Sequence, residues 1–180
     1  MCGKDTSLED MVCYELLQPA QAVARRCAFP LAYLPVGTIE FHGAQNPLGL
    51  DGLQAHGVCV HAAKSGGGVV FPVVWYGENR GSHLAEVNPP GRELIAKEMQ
   101  LPPENFGPAT MGGRSVVEQA IFYQELLFHI YYQIHSLGFE AIYVLIGHGP
   151  LLQYVALTAD VFERATGVKV DFSYTTDLVE

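Results

Sequence analysis

The sequence predicts an α/β protein: a three-layer α/β/α arrangement in which a mostly parallel sheet is covered by helices on both faces. Three observations lead there. Short apolar runs suited to buried strands alternate with longer stretches of helical periodicity. Strands separated by helices need crossover connections, which are right-handed and make the strands parallel. The residues able to do chemistry fall just after the predicted strands, where ligands sit in folds of this kind.

The elements follow in order. Residues 10–26 carry Met11, Leu16, Leu17 and Val23 at helical spacing and predict a helix. Residues 30–36 are an apolar run stopped by Gly37, which predicts a buried strand. A Gly- and Pro-rich loop runs on to Asp51. Residues 52–64 predict a helix closed by Gly66, Gly67 and Gly68, and Val69 to Trp75 a second strand. Residues 76–113, punctuated by Asn88-Pro-Pro-Gly, Leu101-Pro-Pro, Gly107-Pro and Gly112-Gly, predict a long loop, a length usually functional or mobile. Ser115 to Leu137 reads as a long helix ended by Gly138, Ala141 to Ile146 as a third strand, Leu151 to Thr166 as a helix, and Val168 to Tyr174 as a fourth strand. No repeat or linker divides the chain, so residues 1–180 read as one domain.

Composition narrows the partners. Of 180 residues, 49% are hydrophobic and 16% charged, which is the balance of a chain with a packed core. The net charge of -9 and the lack of any basic run argue against nucleic acid, whose phosphates need clustered Lys and Arg. No segment is long and apolar enough for a membrane span, and Met1-Cys-Gly-Lys-Asp-Thr-Ser lacks the order of a signal peptide. Cys2, Cys13, Cys27 and Cys59 form no C-x-x-C pair and read as the scattered free thiols of a cytoplasmic protein, which argues against a cysteine-held zinc.

The chemistry gathers at the ends of the first and third strands. Glu40 and His42 are two apart, so in an extended segment both side chains face one way. Gly43, Pro47 and Gly49 let the loop reverse and bring Asp51 back to the same place. Two carboxylates and an imidazole suit Zn²⁺, Mn²⁺ or Fe²⁺. A plainer reading stays open: Asp51 as a helix cap and Glu40 as a solvated acid. Gly147-His148-Gly149-Pro150 places an imidazole past the third strand, with two glycines to allow a sharp turn. On its own it reads equally as a strand-end turn with a backbone-bonded histidine.

Other candidates carry less. His56 and His61 are five apart, one residue off the spacing of a helical ligand pair. Gly66-Gly-Gly lacks the Lys-Ser/Thr of a phosphate loop. His129 and His135 are expected at the surface or the core edge, and Trp75, Tyr76, Tyr131 and Tyr132 are expected to be core aromatics.

Taken together, these segments resemble the creatininase-like amidohydrolase family. Its first motif is roughly L-P-x-G-[ST]-x-E-x-H-G-x-H-x-P-x-x-[TS]-D, and Leu34, Pro35, Gly37, Thr38, Glu40, His42, Gly43, Pro47 and Asp51 stand at those places. Ile146-Gly-His-Gly-Pro-Leu resembles its second motif, N-G-H-G-G-N or G-H-Y-E-N. Tyr76-Gly77 with His83 resembles Y-G-x-S-x-x-H, and Ser136-Leu-Gly-Phe resembles the helix end before the second motif. The resemblance runs from about residue 10 to the C-terminus.

It implies a three-layer α/β/α fold with a one- or two-metal site, zinc first and manganese or iron as alternatives. Glu40, Asp51 and His148 would hold one ion, and His42 a second bridged by Asp51. The implied activity is hydrolysis of a C–N bond in a small amide, cyclic amide or formamide, by a homo-oligomer; composition, as above, argues against nucleic-acid and membrane partners. Outside the ligand set, the catalytic candidates are His83, to touch substrate or order its loop, and Glu78.

Four departures from the family matter. Gln45 replaces the second histidine of the first motif, Ile146 replaces an asparagine, and Pro150 stands where creatininase has a ligating glutamate. The late H-A-G-x-x-E-T-S segment, a source of carboxylate in other members, is not reached before Glu180, so the domain is expected to lack the family's C-terminal segment. Glu78 or Glu86 would be the substitute carboxylate. The alternatives are a single-metal member with another reaction, or a catalytically impaired creatininase-fold protein acting as a binding or assembly subunit.

Overall fold

Four parallel strands, ordered β2-β1-β3-β4, form the sheet: β1 (Leu31–Val36), β2 (Val69–Val70), β3 (Ala141–Ile146) and β4 (Lys169–Tyr174). They are seen in a computed structural model that describes residues 11–77, 85–107 and 115–178. β1 pairs with β3 from Leu31↔Ala141 to Val36↔Ile146, and β3 with β4 from Ala141↔Lys169 to Ile146↔Tyr174. The three longer strands therefore end level, with Val36, Ile146 and Tyr174 in one row.

The helices are α1 (Pro19–Ala28), α2 (Leu50–Gly66), α3 (Gly91–Met99), α4 (Val116–Ser136) and α5 (Leu152–Thr166). Alternation along the strands sorts the core into two. Ala32, Leu34, Val36, Ile142, Val144, Ile146 and Val170 pack against α4 and α5, whose Tyr123, Leu127, Tyr131, Ile134, Val155, Ala159 and Phe162 complete the main core. On the other face, Val70 and Leu145 meet Ala55, Cys59 and Ala63 of α2. This is the expected three-layer fold. Local signals agree with it: α4 opens on a capping box, with Ser115 Oγ accepting from the Glu118 N–H and the Glu118 carboxylate accepting from the Ser115 N–H.

Three predicted elements differ. The helix expected over residues 10–26 is a 3₁₀ turn at Tyr14–Leu16 followed by α1, which begins only at Pro19. Proline lacks an amide hydrogen and suits the first position of a helix rather than its interior. Ahead of it the chain is extended, and the Val70 N–H donates to the Val12 carbonyl at 2.9 Å. The second strand stops at Val70: Phe71 N–H still donates to Tyr33 O at 2.8 Å, but the next bond to β1 comes three residues on instead of two. The chain nevertheless stays beside β1, with Val74 N–H donating to Pro35 O at 3.0 Å and Gly37 N–H to Val74 O at 2.9 Å. Finally, the region expected to be loop holds α3, whose Ile95 and Ala96 pack with Phe106 in a small cluster of their own.

Two aromatics fall outside their expected place. Tyr131 is fully buried, but its neighbour Tyr132, about 100° further round the helix, is 48% exposed, and Tyr76 is 79% exposed. His129 and His135 are exposed, as expected. No described helix is long and apolar enough to cross a membrane.

At the outer edge of the sheet, alternate β4 amides are capped by acidic side chains. The Val170, Phe172 and Tyr174 N–H groups donate to Glu163 Oε1, Asp171 Oδ1 and Asp177 Oδ2 at 2.7, 2.9 and 3.2 Å.

Candidate metal centre

Glu40, His42, Asp51 and His148 meet just beyond the level strand ends. The local chain explains why. After β1, Thr38 is buried and its hydroxyl donates to the Gly77 carbonyl at 3.4 Å. The Glu40 N–H donates to Leu48 O at 2.9 Å, which closes the loop and delivers the chain to α2. Gly43 takes φ +86, a left-handed conformation that a side chain disfavours. Asp51 lies in the first turn of α2, where the helix dipole favours a carboxylate. It makes no side-chain cap there, because Gly49 is the N-cap and the Asp51 carboxylate turns to the histidines.

Backbone contacts hold these pieces together. A Cβ on Gly37 would lie 2.5 Å from the Gly52 nitrogen, and one on Gly147 only 2.1 Å from the Asp51 carbonyl oxygen. The ends of β1 and β3 thus touch the main chain around Asp51 directly. Gly147 is needed for this approach rather than for a turn, since its φ is not positive. On its other side, the first turn of α2 carries the Trp75 ring, which a Cβ on Gly52 would meet at 2.5 Å.

The side-chain geometry is tight. His42 Nε2 is 2.9 Å from Asp51 Oδ1 and 3.3 Å from Glu40 Oε1. His148 Nδ1 is 3.0 Å from Asp51 Oδ2 and 3.1 Å from Glu40 Oε1. His42 Nδ1 sits 3.3 Å from the Glu40 carbonyl oxygen, an arrangement that directs Nε2 at the carboxylates. Asp51 and His148 are buried, and Glu40 and His42 half-buried. Among the described residues, Glu40, His42 and Asp51 form a group able to hold a metal ion, with ligand atoms within 4.8 Å of one another.

Such a cluster asks for a cation. Burial pulls the His148 imidazole down, but hydrogen bonds to Asp51 and Glu40 and their charges outweigh it and push the group up to about 9. Two carboxylates and two imidazoles are a donor set that fits Zn²⁺ or Mn²⁺ as well as it fits a proton.

The remaining predicted residues fall elsewhere. Glu78 and His83 lie outside the described residues. Glu86 is buried, and one of its carboxylate oxygens accepts from the Phe41 N–H at 3.3 Å. Gln45 is exposed, and Pro150 sits in the 3₁₀ turn Gly149–Leu151 with no donor to offer. Tyr174 escaped the sequence reading. It ends β4, and its ring lies 3.7 Å from where a Cβ on Gly149 would stand. Burial first, then the charges of Asp51, Glu40 and Asp177, push its phenol above the ordinary value. The signal was present in the sequence: Tyr174 ends the fourth strand at the same edge as the other residues.

A parallel sheet covered on both faces, with carboxylates and imidazoles clustered past its strand ends, defines an α/β/α protein with a candidate metal centre. The family model for creatininase, creatinine amidohydrolase, matches residues 17–177, and the chain belongs to that family.

Solved structures agree on the fold. A crystal structure of creatinine amidohydrolase superposes with a TM-score of 0.70 at 20% identity, over 94% of this chain and 60% of that one. A point mutant of creatininase of Zn-Zn type gives 0.70 and a creatininase Mn structure 0.69, at the same identity and coverage. The chain spans about 60% of the length of these structures. No curated protein matches it.

Proposed function

We propose that the chain is a metal-dependent hydrolase acting on a C–N bond of a small amide, cyclic amide or formamide, with Glu40, His42, Asp51 and His148 as the ligands. The observation that carries the reading is that each of two imidazoles lies 2.9–3.3 Å from each of two carboxylates. A divalent ion held there supplies Lewis acidity, which makes water nucleophilic near neutral pH and polarises a carbonyl. The chain's own groups bind and orient. The Glu40 carbonyl fixes the His42 ring, the backbone contact at Gly147 holds Asp51, and the protonated Tyr174 hydroxyl offers a donor for a substrate oxygen. Zinc is the first expectation and manganese the second, in keeping with the Zn-Zn and Mn forms of the structural neighbours.

Elemental analysis of protein purified without chelator tests the reading directly. Zinc or manganese near one or two equivalents per chain, lost in Asp51→Asn, is the expected result. A protein that neither carries nor takes up either metal sinks the proposal. A panel of cyclic amides and formamides, assayed with each metal, then identifies the substrate.

Pro150 and Gln45 favour a second reading, in which the chain is catalytically impaired and serves as a binding or assembly subunit. Metal uptake without turnover of any substrate in the panel would select it. The exposed apolar residues on α4, Val117, Ile121, Phe122 and Tyr132, support self-association of the chain in either case. A mass that stays monomeric at all concentrations in light scattering would count against that.

A further inference from the structure

Phe41 stands between two ligands, Glu40 and His42. Alternation along the segment turns its ring away from them. The ring packs on the small cluster of Ile95, Ala96 and Phe106, which is separate from both faces of the sheet. The Phe41 amide points at another group from the same region, the buried carboxylate of Glu86. The chain between residues 85 and 107 thus grips the middle residue of the ligand segment twice, once through its ring and once through its backbone. Burying a carboxylate is costly unless it is hydrogen-bonded, and the Phe41 N–H supplies one such bond.

We propose that Glu86 is a positioning residue for the metal centre: with the α3 cluster it clamps Phe41, and so sets the direction of the Glu40 and His42 side chains. The clamp acts through the loop and touches neither ion nor substrate. The proposal rests on the metal reading of the site. It also gives α3 a task, since its buried residues serve Phe41 rather than the main core.

The test is the affinity of the full-length chain for Zn²⁺, measured by competition with a fluorescent chelator on folded protein. Glu86→Ala is expected to weaken binding about 10- to 100-fold, the usual cost of removing a group that orients a ligand. Glu86→Gln keeps an oxygen that accepts from the Phe41 N–H and is expected to bind close to the parent. Glu98→Ala removes a negative charge from an exposed position on α3 and is expected to change nothing. Phe41→Ala, which empties the ring's place in the cluster, is expected to weaken binding as Glu86→Ala does, and it decides the matter if Glu86→Ala fails to fold.

Unchanged zinc affinity in folded Glu86→Ala or in Phe41→Ala, with only a lower melting temperature, overturns the clamp and leaves a merely structural role. Equal weakening by Glu98→Ala and Glu86→Ala also overturns it, as a general charge effect. A parent chain that binds no zinc overturns both the clamp and the reading on which it rests.

Discussion

Metal uptake should release a proton, and His148 fixes how much. Its Nδ1 faces Asp51 and Glu40, which push the imidazole up to about 9 in the metal-free protein. At pH 7 the group is therefore about 99% protonated, and an ion binding at that nitrogen must displace the proton. The apparent affinity should rise about tenfold per pH unit between pH 7 and 8 and level off above about 9, a gain approaching 100-fold overall. Calorimetric titration at one pH in buffers of different ionisation enthalpy counts the protons. The expected count from His148 is about one at pH 7 and about one half at pH 9. The same shift governs stability. A histidine whose pKa is raised on folding stabilises the fold fully below its unfolded value, and this is lost as pH rises through the folded value. The metal-free protein should soften between pH 6.5 and about 9, while the loaded protein should not. A proton count near zero at pH 7, or an affinity flat from pH 7 to 9, would refute the assigned role of His148.

Three further outcomes are expected. Gly147→Ala drives a Cβ into the Asp51 carbonyl and should cost of order 1–3 kcal/mol together with metal affinity, read by thermal unfolding and zinc competition. An unchanged melting temperature would show that β3 and α2 do not touch as described. Ser115→Ala removes the α4 cap and should cost about 1 kcal/mol in denaturant titration without altering metal binding. Tyr123→Phe removes a buried hydroxyl with no partner among the described residues, and should be neutral or stabilise by about 1 kcal/mol, whereas a loss of 2 kcal/mol or more would reveal a hydrogen bond.

Much of this protein is legible in its sequence, and the residues say why. β1 and β3 are six-residue apolar runs buried on both faces, the pattern that parallel strands impose. Glu40, His42, Asp51 and His148 could be grouped because each follows a strand end, and the sheet aligns those ends in one row. The misses are of other kinds. α3 is nine residues long, begins at a Pro-Pro-Gly segment and ends at Gln100 in a left-handed conformation without glycine, so its neighbours read as loop. The role of Gly147 depends on a partner 96 positions earlier, which local pattern cannot reveal. Pro19 is legible too, since its missing amide marks the start of the first helix rather than its interior.

The acidic caps on β4 bear on how open that border of the sheet is. An edge strand with free amides invites another strand to join it, from a second copy or from an unfolded chain. Here Glu163, Asp171 and Asp177 occupy three alternate donors, so a newcomer would have to displace three carboxylates and meet their charge. The sheet is in effect hemmed along that border by its own side chains. Strand addition along that border is therefore opposed by hydrogen bonds that the fold already makes.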